Sequence, residues 1–128
     1  MNALAAPPLV LVMSGGAVGA GLRYLVGLWA FENLGPGLPF GTWTVNILGG
    51  LAMGLLAGAL SKISDGGEPL RLLIGVGVLG GFTTFSAFSL ELFAMIVRGN
   101  ALLAGAYAVS SVAGSVVALY AGVALARA

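Results

Sequence analysis

Asn46 is a lone carboxamide inside an otherwise apolar stretch, Val45-Asn46-Ile47-Leu48-Gly49-Gly50. A buried amide costs free energy unless its donors and acceptors find partners. It therefore either glues helices together or serves a polar pathway, and the residue by itself leaves both open. A second polar constellation is Gly80-Gly81-Phe82-Thr83-Thr84-Phe85-Ser86-Ala87-Phe88-Ser89. Paired glycines form helix poorly, and a helix break there frees backbone carbonyls that could coordinate a small cation. The competing reading is an unbroken helix whose hydroxyls bond back to their own backbone. The break is the reading adopted.

Phe85 and Phe88 are three residues apart and share a helical face, with Glu91 one turn further. An aromatic ring has a positive edge, so ring edges can meet an anion without offering a full charge. Ordinary packing is the alternative for such a pair. Glu91 needs a partner or water if it lies inside a span. Tyr107, Ser111 and Ser115 follow at intervals of four, a stripe that drifts by about 40° per step on a helix. Such hydroxyls could replace the water of a small hydrated anion step by step, or simply pack helix against helix. Arg23 either snorkels to the interface or provides positive potential at a vestibule.

These groups must be positioned by membrane helices. Of 128 residues, 59% are hydrophobic and 7% charged, against about 25% charged in average soluble domains. A small soluble domain could not cover its surface with so few charges, whereas a lipid-facing surface should be apolar. Four segments reach the length of about 20 residues needed to cross the hydrocarbon core: about 8–31, 40–60, 70–97 and 101–125. The third is expected to break near the bilayer midplane. The chain reads as one four-helix transmembrane domain, 1–128, joined by short glycine- and proline-bearing turns. The amino terminus lacks a basic cluster, so the first segment reads as a resident helix and not a cleaved signal.

The sequence contains 22 glycines. The pairs Gly15/Gly19, Gly50/Gly54 and Gly54/Gly58 each occupy one helical face, where small residues let backbones approach closely in lipid. Four helices leave little room for a pathway within one subunit, so a pore is expected between subunits. Lys62, Arg71 and Arg127 fall on one side of the membrane, with Arg98 and Arg23 towards the other. That bias is weak and makes insertion in both orientations plausible. With no cysteine or histidine and a net charge of +1, thiol chemistry, the usual metal ligands, the commonest general base and a nucleic-acid footprint are all missing. The chain is not expected to be an enzyme.

Taken in order and spacing, the segments closely resemble the Fluc fluoride channels, also called the CrcB family. The resemblance is carried by Gly15-Gly16-Ala17-Val18-Gly19-Ala20-Gly21-Leu22-Arg23-Tyr24, by Gly41-Thr42 with Val45-Asn46, and by the run from Gly80 to Ser89. It implies an antiparallel, dual-topology homodimer in the cell (inner) membrane, with two fluoride pathways between subunits. Passive fluoride efflux would then lower cytoplasmic fluoride toxicity. It further implies a structural sodium ion at the dimer centre, held by the backbone carbonyls of Gly80 and Thr83. Asn46, Phe85, Phe88, Tyr107, Ser111 and Ser115 match its pathway. Arg23, Thr42, Thr84 and Glu91 fall on motif positions that support the pathway or its vestibule. One departure is Ala87, where such channels generally have threonine. The alternatives are a small multidrug-type cation/proton exporter, disfavoured because no acid precedes Glu32 in the first span, and a non-transporting membrane scaffold.

Overall fold

The computed structural model describes residues 6–128. Residues 1–5, on which part of the reading of the amino terminus rests, lie outside the described residues. Four helical spans emerge, each with mean hydropathy of 1.6 or above. The first is α1 (Ala6–Leu34) and the second α2 (Phe40–Leu60). The third span covers Glu68–Val97. It is entered through Pro69 in its first turn, where the missing N–H has no helical partner to lose. We call its first part α3 (68–82) and its second part α4 (Ser86–Val97). The last helix is α5 (Ala101–Arg127). Both outer helices run two or three residues past the expected ends, and α2 coincides with its expected bounds.

The turns follow from their glycines. Gly35, Gly66 and Gly99 have φ of +82°, +82° and +86°, a region costly for residues with a Cβ. At the end of α4, Gly99 N–H donates to Ile96 O at 3.0 Å and Asn100 N–H to Met95 O at 2.9 Å. That pair of bonds is the Schellman closure, which satisfies carbonyls the helix would otherwise orphan. It lets α5 begin at once and run back alongside α4.

Packing uses glycine more than large side chains. A Cβ on Gly77 would lie 2.9 Å from Gly15 Cα, and one on Gly81 would lie 3.1 Å from Gly16 Cα. Thus α1 and α3 touch backbone to backbone. The second seam joins α2 to α5: a Cβ on Gly54 would come 2.8 Å from Leu119 C, and one on Gly122 would come 2.7 Å from Leu55 N. Small residues at both seams bear out the packing reading of the spaced glycines. The small buried cluster is Phe88, Met95, Ala104 and Tyr107, between α4 and α5. Outside it the surface is apolar, with Leu102, Tyr120 and Phe93 among the exposed side chains. In water this would be a liability; in lipid it is the correct solvent-facing surface.

Two features of the third span set up the site. Residues Arg71–Leu79 form wide π-type turns, with Gly80 N–H reaching back to Gly75 O. Such turns recur at functional sites. Then, after the helical Gly80–Phe82, Thr83 is extended (φ −87°, ψ 157°) and helix resumes at Ser86.

Candidate functional site

The non-helical peptides around Thr84 are held from α2. Thr84 N–H donates to Asn46 Oδ1 at 2.8 Å, and Asn46 Nδ2 donates to Thr84 O at 3.0 Å. In a continued helix the Thr84 N–H would close onto Gly80 O; here it is turned aside. Asn46 thus acts in the fold as interhelical glue, one of the two readings its sequence left open. Position 49 lies one turn along α2 from Asn46, and only a glycine there leaves space for the Thr83 methyl group. Sequence reasoning noted the Gly49-Gly50 pair without this use. Its signal was the i, i+3 spacing from Asn46.

Other carbonyls and hydroxyls at the same place also find partners. Arg23 Nε, from α1, donates to Gly81 O at 3.1 Å. The guanidinium therefore reaches inward to the third span and does not simply snorkel. Thr83 Oγ1 donates back to Leu79 O at 2.9 Å, the local bond expected of a hydroxyl near a helix end. Thr84 Oγ1 accepts Ala87 N–H at 3.1 Å, capping the first turn of α4. Ala87, with Arg23, Thr42 and Thr84, lines a small cavity of about 240 Å³. A threonine at 87 would have placed another hydroxyl in that environment.

Beyond the cap, α4 presents its aromatic pair. The Phe85 and Phe88 rings have centroids 5.6 Å apart, and Phe88 and Tyr107 lie 5.1 Å apart. Both pairs are tilted, bringing ring edges towards faces. Their environments differ sharply: Phe88 is 7% exposed and Phe85 77%. One turn on, Glu91 is bridged from two helices. Thr42 Oγ1 donates to Glu91 Oε1 at 2.6 Å, and Tyr107 OH donates to Oε2 at 3.4 Å. The acid inside the span has the partners its position demands.

The hydroxyl stripe on α5 is divided by its partners. Tyr107 belongs to the Glu91 bridge. Ser115 Oγ donates to the backbone carbonyl of Asn46 at 3.1 Å. Ser111 is buried, and its Oγ lacks a partner among the described residues. Ser111 and Ser115 line the same open cavity of about 400 Å³ as Asn46, Thr83, Phe85 and Phe88. Thr84 also lines it, and its other walls are apolar side chains or glycine, among them Met53, Val112, Val116 and Leu119. These residues carry no polar signature, which is why sequence reasoning passed over them. Trp43 Nε1, donating to Ser110 Oγ at 3.1 Å, is a further α2–α5 tie it did not foresee. Of the residues named from sequence, Gly80, Tyr107, Arg23, Thr42 and Glu91 lie outside that cavity, the last four lining smaller ones.

The arrangement is an apolar, lipid-thick bundle with a recess holding one unpaired buried hydroxyl, an amide and exposed aromatic edges. It holds no nucleophile–base pair. Among the described residues no group of three or more acidic side chains gathers to hold a metal ion. The chemistry such a recess can do is to conduct or bind a small ion through weak, successive contacts.

Residues 10–123 match the family described as "CrcB-like protein, Camphor Resistance (CrcB)". A protein of Phenylobacterium zucineum named "Fluoride-specific ion channel FluC" is 58% identical over 120 residues, covering 93% of this chain and 94% of its own. One of Sphingopyxis alaskensis with the same name is 54% identical over 116 residues, covering 91% and 92%. Another of Mesorhizobium japonicum, also so named, is 45% identical over 119 residues, covering 93% and 95%.

Proposed function

The chain belongs to the CrcB family, and from that premise we infer that it is a fluoride-specific ion channel of the multi-pass, membrane-spanning kind. It is a channel and not an enzyme; in a bacterium it resides in the inner membrane. Its ligand is fluoride and its solvent the bilayer. The exporter and scaffold readings give way to this one.

The observation that carries the mechanism is the convergence of Asn46, Phe85, Phe88, Ser111 and Ser115 on one open recess within apolar spans. Fluoride exchanges its water for the Ser111 hydroxyl, the second N–H of Asn46 and the positive ring edges of Phe85 and Phe88. Ser115 contributes by exchanging its bond to the Asn46 carbonyl, and Tyr107 by its hydroxyl at the Glu91 end. Arg23, Thr42, Thr84 and Glu91 shape the walls through the bonds described above. No contact is strong, so the ion leaves as readily as it enters.

The recess is open on the side where Phe85 is exposed, and a single subunit has no wall there. A second, antiparallel copy supplies that wall, as the weak charge bias between the two membrane faces allows. The non-helical stretch at Thr83 and Thr84 then lies near the bilayer midplane, where irregular backbone is tolerated only inside protein or beside water. The carbonyls of Gly80 and Thr83 would hold a sodium ion at the subunit junction. They fit: the Gly80 carbonyl is released from pairing with Thr84 N–H, Thr83 is extended, and hard cations prefer oxygen. Such an ion would supply fixed positive charge between the subunits.

The test is anion efflux from liposomes holding the purified protein, with a potassium–valinomycin shunt. Rapid fluoride loss with chloride retained is expected. If both anions stay inside with folded protein present, the channel reading is wrong.

A further inference from the structure

The contact between Asn46 and Thr84 has a geometric consequence for the carbonyl of Gly80, one helical turn earlier in the chain. Thr84 N–H is the group that would satisfy Gly80 O in a continuous helix. It is bonded to Asn46 Oδ1, while Asn46 Nδ2 holds the following carbonyl, Thr84 O. Both peptide groups flanking Thr84 are fixed by one side chain. The next residue is Phe85, whose ring is 77% exposed on the open face. On the other side of the junction, Thr83 is already extended.

We propose that Asn46 is a positioning residue as well as a wall of the recess. By clamping both peptide groups of Thr84, it keeps the Gly80 carbonyl out of helical pairing and Phe85 turned onto the open face. The proposal rests on the channel reading for its functional consequence, but the clamp itself can be tested without transport.

Removing the amide lets Thr84 N–H return to Gly80 O, because an unpaired N–H in a dry environment seeks the nearest acceptor. The helix then closes across the junction. A pore donor and a clamp differ in what rescues their loss. In the Asn46→Ala background, Thr84→Pro deletes the N–H that would close the turn. Proline requires an extended residue before it, and Thr83 already has that conformation. The double variant therefore keeps Gly80 O free with no amide at position 46.

Two readouts test this. The chain has a single Thr-Thr peptide bond, between Thr83 and Thr84. Protein labelled with carbonyl-13C and amide-15N threonine therefore reports the Thr84 amide alone by NMR. In Asn46→Ala its proton shift should move while exchange with solvent stays slow, as the amide re-pairs with Gly80 O; an unchanged shift would overturn the clamp. In liposomes, Asn46→Ala should lower fluoride efflux at least about tenfold, and Thr84→Pro in that background should recover the part of the lost rate that depends on a free Gly80 carbonyl, leaving the part owed to the missing Asn46 donor unrecovered. A double variant no faster than Asn46→Ala would make Asn46 a donor to the ion and not a positioning residue. Should Asn46→Ala fail to fold, Asn46→Asp keeps the acceptor for Thr84 N–H. Its Thr84 amide proton should move downfield, because a carboxylate accepts a shorter bond than a carboxamide does, and an upfield move counts against the clamp. Wild-type protein that does not pass fluoride would sink the channel reading, leaving the NMR result to decide the clamp.

Discussion

Thr42 and Glu91 meet across α2 and α4 with Oγ1 donating to Oε1 at 2.6 Å. The other carboxylate oxygen takes the longer bond from Tyr107 on α5. One acid thus joins three elements. Both bonds end on one carboxyl group, and the shorter of the two contributes more, since hydrogen bonds weaken as they lengthen. Thr42→Val, which keeps the shape and removes the hydroxyl, should destabilise the protein by about 1–3 kcal/mol. Tyr107→Phe should cost less. Thermal unfolding in detergent, read by fluorescence, checks the order; a larger loss for Tyr107→Phe would show that the 3.4 Å bond is the stronger one.

The glycine seam between α1 and α3 makes a sharper prediction. A Cβ at Gly19 would stand 2.8 Å from Phe82 N, whereas one at Gly21 would meet nothing within 4 Å. Gly19→Ala should therefore abolish monodisperse protein, because backbone cannot yield as a flexible side chain can. Gly21→Ala should be neutral or stabilising by up to about 1 kcal/mol, the helix preference of alanine over glycine. Size-exclusion profiles of the two variants give the answer directly.

The two phenylalanines should separate function from stability. Phe88 is packed between Phe85 and Tyr107, so Phe88→Ala should cost about 3–5 kcal/mol through the cavity it leaves. Phe85 is largely exposed. Phe85→Ile should leave the melting temperature within a few degrees while lowering fluoride efflux. A Phe85→Ile protein with full efflux would remove that ring from the pathway.

Ser111 carries an unpaired hydroxyl in a buried position. An unsatisfied buried donor costs stability, so Ser111→Ala should be neutral or mildly stabilising. The same change should slow fluoride efflux, since it takes away a donor free to meet the ion. Stabilisation with unaltered efflux would assign the hydroxyl no part in conduction. The contrast is Ser115→Ala, which breaks a bond to the Asn46 carbonyl and should lower stability as well.

The four spans were legible because the bilayer imposes a length and a composition that survive in any apolar chain. Their seams were legible for a related reason: glycines spaced by four mark a face that backbone can approach. The third span was harder. Its helix starts at Glu68 and not Leu70, because Pro69 belongs to the first turn and was read as turn chemistry. The wide turns over Arg71–Leu79 leave no local signature. Arg23 shows the larger limit. That it would reach Gly81 O depends on how α1 crosses α3, which is set by glycines at some distance along the chain. Ser111 and Ser115 look equivalent in sequence, yet only one has its hydroxyl engaged. That distinction depends on the neighbouring backbone, which spacing does not encode.

The pairing of α2 with α5 also orders the events of synthesis. The glycine face of α2 lies against Ser115, Leu119 and Val123 on α5, which is made only after the whole third span. Until α5 arrives, α2 waits in the membrane with its close-packing face covered by lipid and Trp43 without Ser110. Assembly therefore cannot proceed by adding finished hairpins one after another. It must hold the early helices loosely enough for the last one to slot against the second, so a chain interrupted before α5 presents an uncovered glycine groove to any quality-control protease in the membrane.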